Sequence, residues 1–180
     1  MVDVLIAEPG ELSDTCLAAA EALVRSAFGS SFRSHDWLHA VDGVHVVVSA
    51  DRALLAFAAI TPRILHHNGL PLDTGYVEGV AVRRDQQGQG LGGILMDHAE
   101  KVIRTRHKIG ALNAIETAAG FYDARGWEPW PGHTQAASPA GIVDTYDSAD
   151  RIYLLHPHGQ VKALDANVSL ICDWRRGDAW

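Results

Sequence analysis

Two cysteines, Cys16 and Cys172, are all that 180 residues provide, too few for a disulfide framework and suited to a reducing compartment. No apolar stretch reaches the roughly 20 residues of a membrane-spanning helix. The N-terminus carries Asp3 and Glu8 where a signal segment has a basic flank and an apolar run. These absences predict a cytoplasmic protein with no membrane association. Cationic side chains are also scarce: 15 Lys and Arg against 22 Asp and Glu give a formal net charge of -7. That balance disfavours a nucleic-acid partner and favours a cationic one. Lysine is missing altogether between Met1 and His98, which excludes a G-x-x-x-x-G-K-[ST] phosphate loop there. What remains is 47% hydrophobic, enough for a real core, and reads as a single domain over residues 1–180.

Ten histidines are present, yet His66-His67 and His156-Pro157-His158 have neither the i, i+4 helical spacing nor the Cys partners of familiar zinc sites. No metal is expected. Ser13, Ser138 and Ser169 lack the G-x-S-x-G context of a nucleophile elbow. Cys16 falls on the apolar face of a helical pattern and reads as packing.

Patterning predicts an α/β layout. Val2 to Ala7 reads as a strand, and from Leu12 apolar residues recur at helical spacing as far as Phe28. A short helical segment over Ser34 to Ala40 leads into β-rich runs at Val44–Ser49 and Ala53–Ile60. Asn68-Gly69 predicts a second tight hairpin, between Arg63–His67 and Leu72–Val82. Further on, Gly110–Asn113 reads as a strand, Thr117–Arg125 as a helix closed by Gly126, and Trp127–Trp130 as another strand. Residues 131–149 read as a long loop, with late strands at Ile152–Leu155 and Val168–Cys172.

The densest signal lies where Tyr76–Val82, an apolar strand interrupted by Glu78, runs through Arg83-Arg84-Asp85-Gln86 into Gln87-Gly88-Gln89-Gly90-Leu91-Gly92-Gly93. A helix face traced by Leu91, Ile94, Leu95, Ala99, Val102 and Ile103 follows at once. Glycines admit a close approach to the backbone, and a helix N-terminus aims unpaired N–H groups at a pyrophosphate. A dinucleotide fingerprint can be laid over Gly88, Gly90 and Gly93, but its acidic residue about 20 positions on is replaced by a basic region around Lys101 to Lys108. The pattern Q/R-x-x-G-x-G/A fits through Gln87, Gly90 and Gly92. It resembles the acetyl-CoA loop of the GNAT N-acetyltransferases.

A narrower resemblance follows from Gly75-Tyr76-Val77-Glu78, Ile109-Gly110-Ala111-Leu112, Tyr122 with Arg125-Gly126-Trp127, and the ending Cys172-Asp173-Trp174-Arg175-Arg176-Gly177-Asp178-Ala179-Trp180. These stretches resemble the aminoglycoside 2'-N-acetyltransferases from about Phe28 to the last residue. The resemblance implies a GNAT fold, a central mixed and mostly antiparallel sheet flanked by helices, and a homodimer. It implies acetyl-CoA as cosubstrate, held by Val80, Ala81, Val82, Gln87, Gly88, Gln89, Gly90, Leu91 and Gly92, and a cationic amino sugar as acceptor.

Acetyl transfer to an amine requires a base for the ammonium proton, a polarised carbonyl and a donor for the leaving sulfur. Glu78, in its apolar strand, fits the base, directly or through water, and Tyr122 fits the donor. The implied acceptor contacts are Ser31, Asp36, Glu78, Gly79, Asn113, Asp147, Asp178 and Trp180 with its terminal carboxylate, and Asp144 or Asp150 stands as the alternative to Asp147. The family pattern has an acidic residue at Ser31, glycine at Asp42 and a Ser-Ala-Ser-like run at 113–116. Bulk at Ile115 and the carboxylate missing at Ser31 suit an aminoglycoside with fewer amines than the deoxystreptamine drugs, such as kasugamycin. Acetylation of another polyamine or amino sugar, and a non-catalytic acyl-CoA sensor, are the alternative functions.

Overall fold

Local signals set most element boundaries in the structure, a computed structural model that describes residues 1–145, 151–156 and 164–180. Strand β1 (Asp3–Ala7) precedes helix α1 (Asp14–Phe28). The Ser13 hydroxyl caps α1 by accepting from the Cys16 amide at 3.3 Å, and Gly29, at φ 62°, ends it. Helix α2 (Ser34–Val41) is followed by β2 (Val44–Ala50) and β3 (Ala53–His67). Asp51 and Arg52 join the two strands with φ of 49° and 64°, as a two-residue hairpin turn requires. Asn68 and Gly69, at 51° and 73°, do the same between β3 and β4 (Leu70–Val82).

Helix α3 (Leu91–Arg106) and strand β5 (Ile109–Ala114) follow. Next come α4 (Ala119–Asp123), β6 (Glu128–Pro129), β7 (Thr134–Ser138), β8 (Gly141–Asp144), β9 (Arg151–Leu155) and β10 (Leu170–Asp173). Among the described residues no helix is long and apolar enough to cross a membrane.

Two sequence expectations are corrected. The runs Ala53–Ile60 and Arg63–His67 form one 15-residue strand. Pro62 is exposed within it, so its missing N–H need not break the strand. Part of the stretch expected as a loop over 131–149 is a β-hairpin, β7 and β8, paired from Gln135↔Asp144 to Ser138↔Gly141. Its β7 strand runs parallel to β10 in the register Leu170↔Thr134. That partner is distant in sequence, so no local pattern announces it.

The chain resolves into two compact units, and β3, β4 and α3 each contribute to both. One unit comprises residues 1–61 and 77–102. Its sheet pairs β1 with β2 and β2 with β3, all antiparallel, and a bulge falls at Val48/Ser49. Its core gathers Ala20, Val24, Trp37, Phe57, Ala59 and Ala81. Trp37 and Phe57 stack with ring centroids 5.7 Å apart.

The second unit comprises residues 62–76 and 103–180, with strand order β6-β9-β5-β4-β3-β10-β7-β8. β4–β5 and β10–β7 pair in parallel, while β5–β9, β6–β9, β10–β3 and β7–β8 are antiparallel. Its core contains Leu65, Tyr76, Ile109, Leu154, Leu170, Cys172 and Trp180. Gly110 is closely packed there: a Cβ would meet Trp127 at 3.0 Å and Leu155 at 3.1 Å.

Candidate active site

In the first unit, β4 runs into the glycine loop. Gly79, directly after Glu78, has φ 61° inside the strand, in the left-handed region that side chains disfavour. Space is not the constraint, because a Cβ would meet Val24 only at 3.5 Å. Conformation is what selects glycine. Glu78 itself is half-buried rather than enclosed, as are Gly79 and Val80, whereas Ala81 is buried. Beyond Val82 the Arg83 amide still donates to the Leu55 carbonyl at 2.8 Å, so the strand is anchored up to the loop.

The loop is organised by its own polar side chains. The Arg83 guanidinium grips Asp85 at 2.6 and 3.0 Å. This contact, with a hydrogen bond from Gln86, pulls the exposed Asp85 carboxyl below the usual carboxylate range. Gln87 donates to the Val82 carbonyl at 3.2 Å and Gln89 to the Asp85 carbonyl at 3.4 Å. Gly88 and Gly90 sit at φ 75° and 82°, and no other atom lies within 4 Å of where a Cβ would stand. The Gly90 carbonyl accepts from Ile94 at 3.1 Å, which makes Gly90 the residue that opens α3. Residues 87–90 are exposed, so this backbone is accessible to a phosphate group, and the site fits a pyrophosphate.

In the second unit, Tyr122 lies on α4 and is 7% exposed. Its ring packs against Trp127 and Tyr153 at centroid distances of 6.1 and 5.9 Å. Burial pushes the phenol pKa up to about 12, so the hydroxyl keeps its proton through the physiological range.

The same unit holds a cavity of about 670 Å³ lined by Trp130, Trp174 and Trp180 together with Asn113, Asp144, Thr145 and Asp178. Among the described residues, no Lys, Arg or His is part of this lining. The Trp180 indole N–H donates to the Thr145 hydroxyl at 2.9 Å, which donates in turn to the Thr134 hydroxyl at 2.7 Å. Asp178 accepts from the Trp180 amide at 3.1 Å. Asp144 accepts from His133 at 3.0 Å and Gln135 at 2.9 Å, and these bonds, led by Gln135, lower its pKa. The Asn113 side-chain oxygen is buried with no hydrogen-bond partner among the described residues.

The expected acceptor residues are therefore distributed unevenly. Asn113, Asp178 and Trp180 meet at one cavity, and Asp144 joins them. Asp36 instead serves α2: its carboxylate accepts from the Arg33 amide at 2.7 Å and lies 3.2 Å from the His35 ring. Asp147 and Asp150 lie outside the described residues, and Ser31, in a short 3-10 turn (Gly29–Ser31), is described only in its backbone. Ile115 is 56% exposed and does not line the cavity.

Sequence reasoning did not single out Thr134, Thr145, Gly132 or Arg63. Gly132 admits no side chain, since a Cβ would stand 2.5 Å from the Ala166 carbonyl oxygen. For Arg63 a signal existed. Strand alternation places it inward with Leu65 and His67, and an inward arginine needs a partner.

A strand running through an exposed glycine loop into a helix N-terminus suits a cosubstrate that carries a pyrophosphate, and comparison with known proteins identifies an acetyltransferase. Residues 17–127 match the model of the acetyltransferase (GNAT) family, and the chain belongs to that family. Two Escherichia coli structures share the fold: YhbS, a GNAT family N-acetyltransferase in complex with CoA, and ElaA. YhbS has a TM-score of 0.67 at 12% identity over 97% of this chain and 89% of that one. ElaA has a TM-score of 0.66 at 18% identity over 86% and 99%. Within the family the kinship is narrower. An aminoglycoside 2'-N-acetyltransferase from Mycolicibacterium fortuitum is 40% identical over 173 residues, 94% of this chain and 88% of that protein.

Proposed function

We propose that this protein is an acetyl-CoA-dependent N-acetyltransferase that modifies the 2'-amino group of an aminoglycoside by direct transfer, and so confers resistance. The observation that carries the reading is the cavity built by Trp174, Asp178 and Trp180. It offers aromatic faces for sugar rings and carboxylates for ammonium groups, with no cationic side chain in its lining among the described residues. The similarity to the Mycolicibacterium fortuitum enzyme along almost the whole chain supports it.

Acetyl-CoA supplies an activated acetyl thioester. The amides of residues 87–92 hold its pyrophosphate, and the main chain of Val80, Ala81 and Val82 holds its pantetheine arm and faces the carbonyl. Glu78 takes the proton that the acceptor ammonium must lose, directly or through a water. Tyr122 donates its O–H toward the sulfur as negative charge develops there. A thiol has a pKa of about 8.5, well below that of a phenol held near 12, so the tyrosine contributes a hydrogen bond rather than complete proton transfer. Asp178, Trp180 and Asn113 bind the acceptor, with Asp144 supplying the further negative charge. The candidate acceptors are deoxystreptamine drugs and kasugamycin, the latter suited by the missing carboxylate at Ser31. A cytoplasmic homodimer completes the reading.

Thiol release with gentamicin, tobramycin, kasugamycin, spermidine and a lysine peptide tests the proposal. Turnover on the aminoglycosides is expected. Turnover confined to spermidine would replace the reading with a polyamine acetyltransferase, and acetyl-CoA binding without turnover would replace it with a sensor.

A further inference from the structure

Arg63 is 4% exposed in the second unit, with its guanidinium 4.8 Å above the Tyr76 ring. Its Nε donates to the Asp173 carboxylate at 2.8 Å. One terminal nitrogen, Nη2, donates to two main-chain carbonyls, Asp173 at 2.9 Å and Ala179 at 2.8 Å. These acceptors stand 110 and 116 residues along the chain. A single buried cation therefore ties together the two ends of the segment 173–179. A carbonyl accepts well only when its peptide plane is turned toward the donor, so the bonds fix the path of the segment as well as its proximity.

The segment so held carries Trp174 and Asp178 and delivers Trp180, three of the residues that line the cavity. Its interior is internally bonded, with Arg175 Nε donating to the Asp178 carbonyl at 2.8 Å and the Trp180 amide donating to the Asp178 carboxylate. Arg175 also lies over Tyr76, 5.3 Å from the ring centroid. Arg63 itself does not line the cavity.

We infer that Arg63 is a positioning residue for acceptor recognition: by holding Asp173 and Ala179 it presets Trp174, Asp178 and Trp180, and thereby sets acceptor affinity. The role needs the planar guanidinium, because three bonds in fixed directions cannot be supplied by the point charge of a lysine. Segment order here is entropy paid before the acceptor arrives, and a loosened segment must be ordered at its expense. The kinetic consequence rests on the acetyltransferase reading above. The ordering itself does not.

The test compares the wild type with Arg63→Lys and Asp173→Asn in steady-state kinetics for both substrates, and in hydrogen exchange of residues 173–180. Arg63→Lys should raise the acceptor KM about tenfold or more, with kcat and the acetyl-CoA KM within about twofold, and should speed exchange in the segment while β5 stays protected. Asp173→Asn keeps the carbonyl bonds and should give a smaller change in the same direction. A merely structural role would lower the active fraction and leave KM where it was. Unchanged acceptor KM and unchanged exchange in folded Arg63→Lys would overturn the inference. If that variant fails to fold, the same null result in Asp173→Asn overturns it. If the wild type turns over no aminoglycoside, the activity reading fails, and the exchange data still decide whether Arg63 orders the segment.

Discussion

The glycine loop and the tryptophan-lined cavity are built by opposite strategies. The loop is continuous in sequence: side-chain hydrogen bonds no more than five residues apart link Val82, Arg83, Asp85, Gln87 and Gln89, and the glycines between them leave main-chain groups exposed. The cavity draws on β5, the β6 region, the β7–β8 hairpin and the C-terminal segment, and its shape depends on Arg63 reaching 110 residues to Asp173. A cosubstrate common to a whole family can be held by backbone, which tolerates side-chain drift. An acceptor that differs between enzymes needs side chains brought from several places. Changes near the loop should therefore alter acetyl-CoA affinity alone, and changes around the cavity acceptor affinity alone.

Substitution of the proposed base breaks this division most sharply, since its main effect falls on the chemical step. Glu78→Gln should lower kcat by about 100-fold or more while leaving the binding of acetyl-CoA, followed by calorimetry, essentially unchanged. Gly90→Val places a branched side chain at φ 82°, where L-residues are disfavoured. It should weaken acetyl-CoA binding by about 30-fold, because distortion of the opening turn of α3 misdirects the amides; the acceptor KM should not follow. Trp180→Ala removes an aromatic wall of the cavity together with the indole bond to Thr145. An increase of about tenfold in acceptor KM is expected, comparable to losing a well-packed aromatic contact, with acetyl-CoA affinity intact.

The smallest effects sharpen the contrast through pH and stability. In the second unit, burial raises the Cys172 thiol to about 11 and Tyr122 to about 12. The folded chain keeps protons that the unfolded chain releases above its ordinary values near 9 and 10, so these groups' contribution is present below pH 9 and lost as pH rises toward 12. In the first unit, His45 donates to the Ala40 carbonyl at 3.0 Å with its other ring nitrogen buried, and burial lowers its pKa. Its folded state resists protonation, so stability falls as pH drops below about 6.5, the ordinary histidine value. Chemical denaturation across pH should show the alkaline slope reduced in Tyr122→Phe and the acid slope reduced in His45→Asn.

The same contrast explains what the sequence made legible. Turns with a short-range chemical reason could be read directly, as with Asn68-Gly69 and the glycines that open α3. The early strands and helices carry strong apolar periodicity. The β7–β8 hairpin did not show, because its polar, proline-flanked residues become strands by pairing with β10, a partner supplied late in the chain. Among site residues, Asp178 and Trp180 are implied by a family resemblance in the ending of the chain and Asn113 by the family run at 113–116, and the structure brings all three to one cavity. Asp36 is implied by the same resemblance, and in the structure its carboxylate accepts from the Arg33 amide, as a capping aspartate does at a helix N-terminus. Thr134 and Thr145 carry no chemistry of their own until Trp180 reaches them.

The most direct test is the position of the acetyl group on tobramycin after incubation with acetyl-CoA, assigned by mass spectrometry and NMR. The account predicts a single acetyl on the 2'-nitrogen, formed with one equivalent of free CoA. Acetylation at another amine, or no product from an enzyme that binds acetyl-CoA, would contradict it.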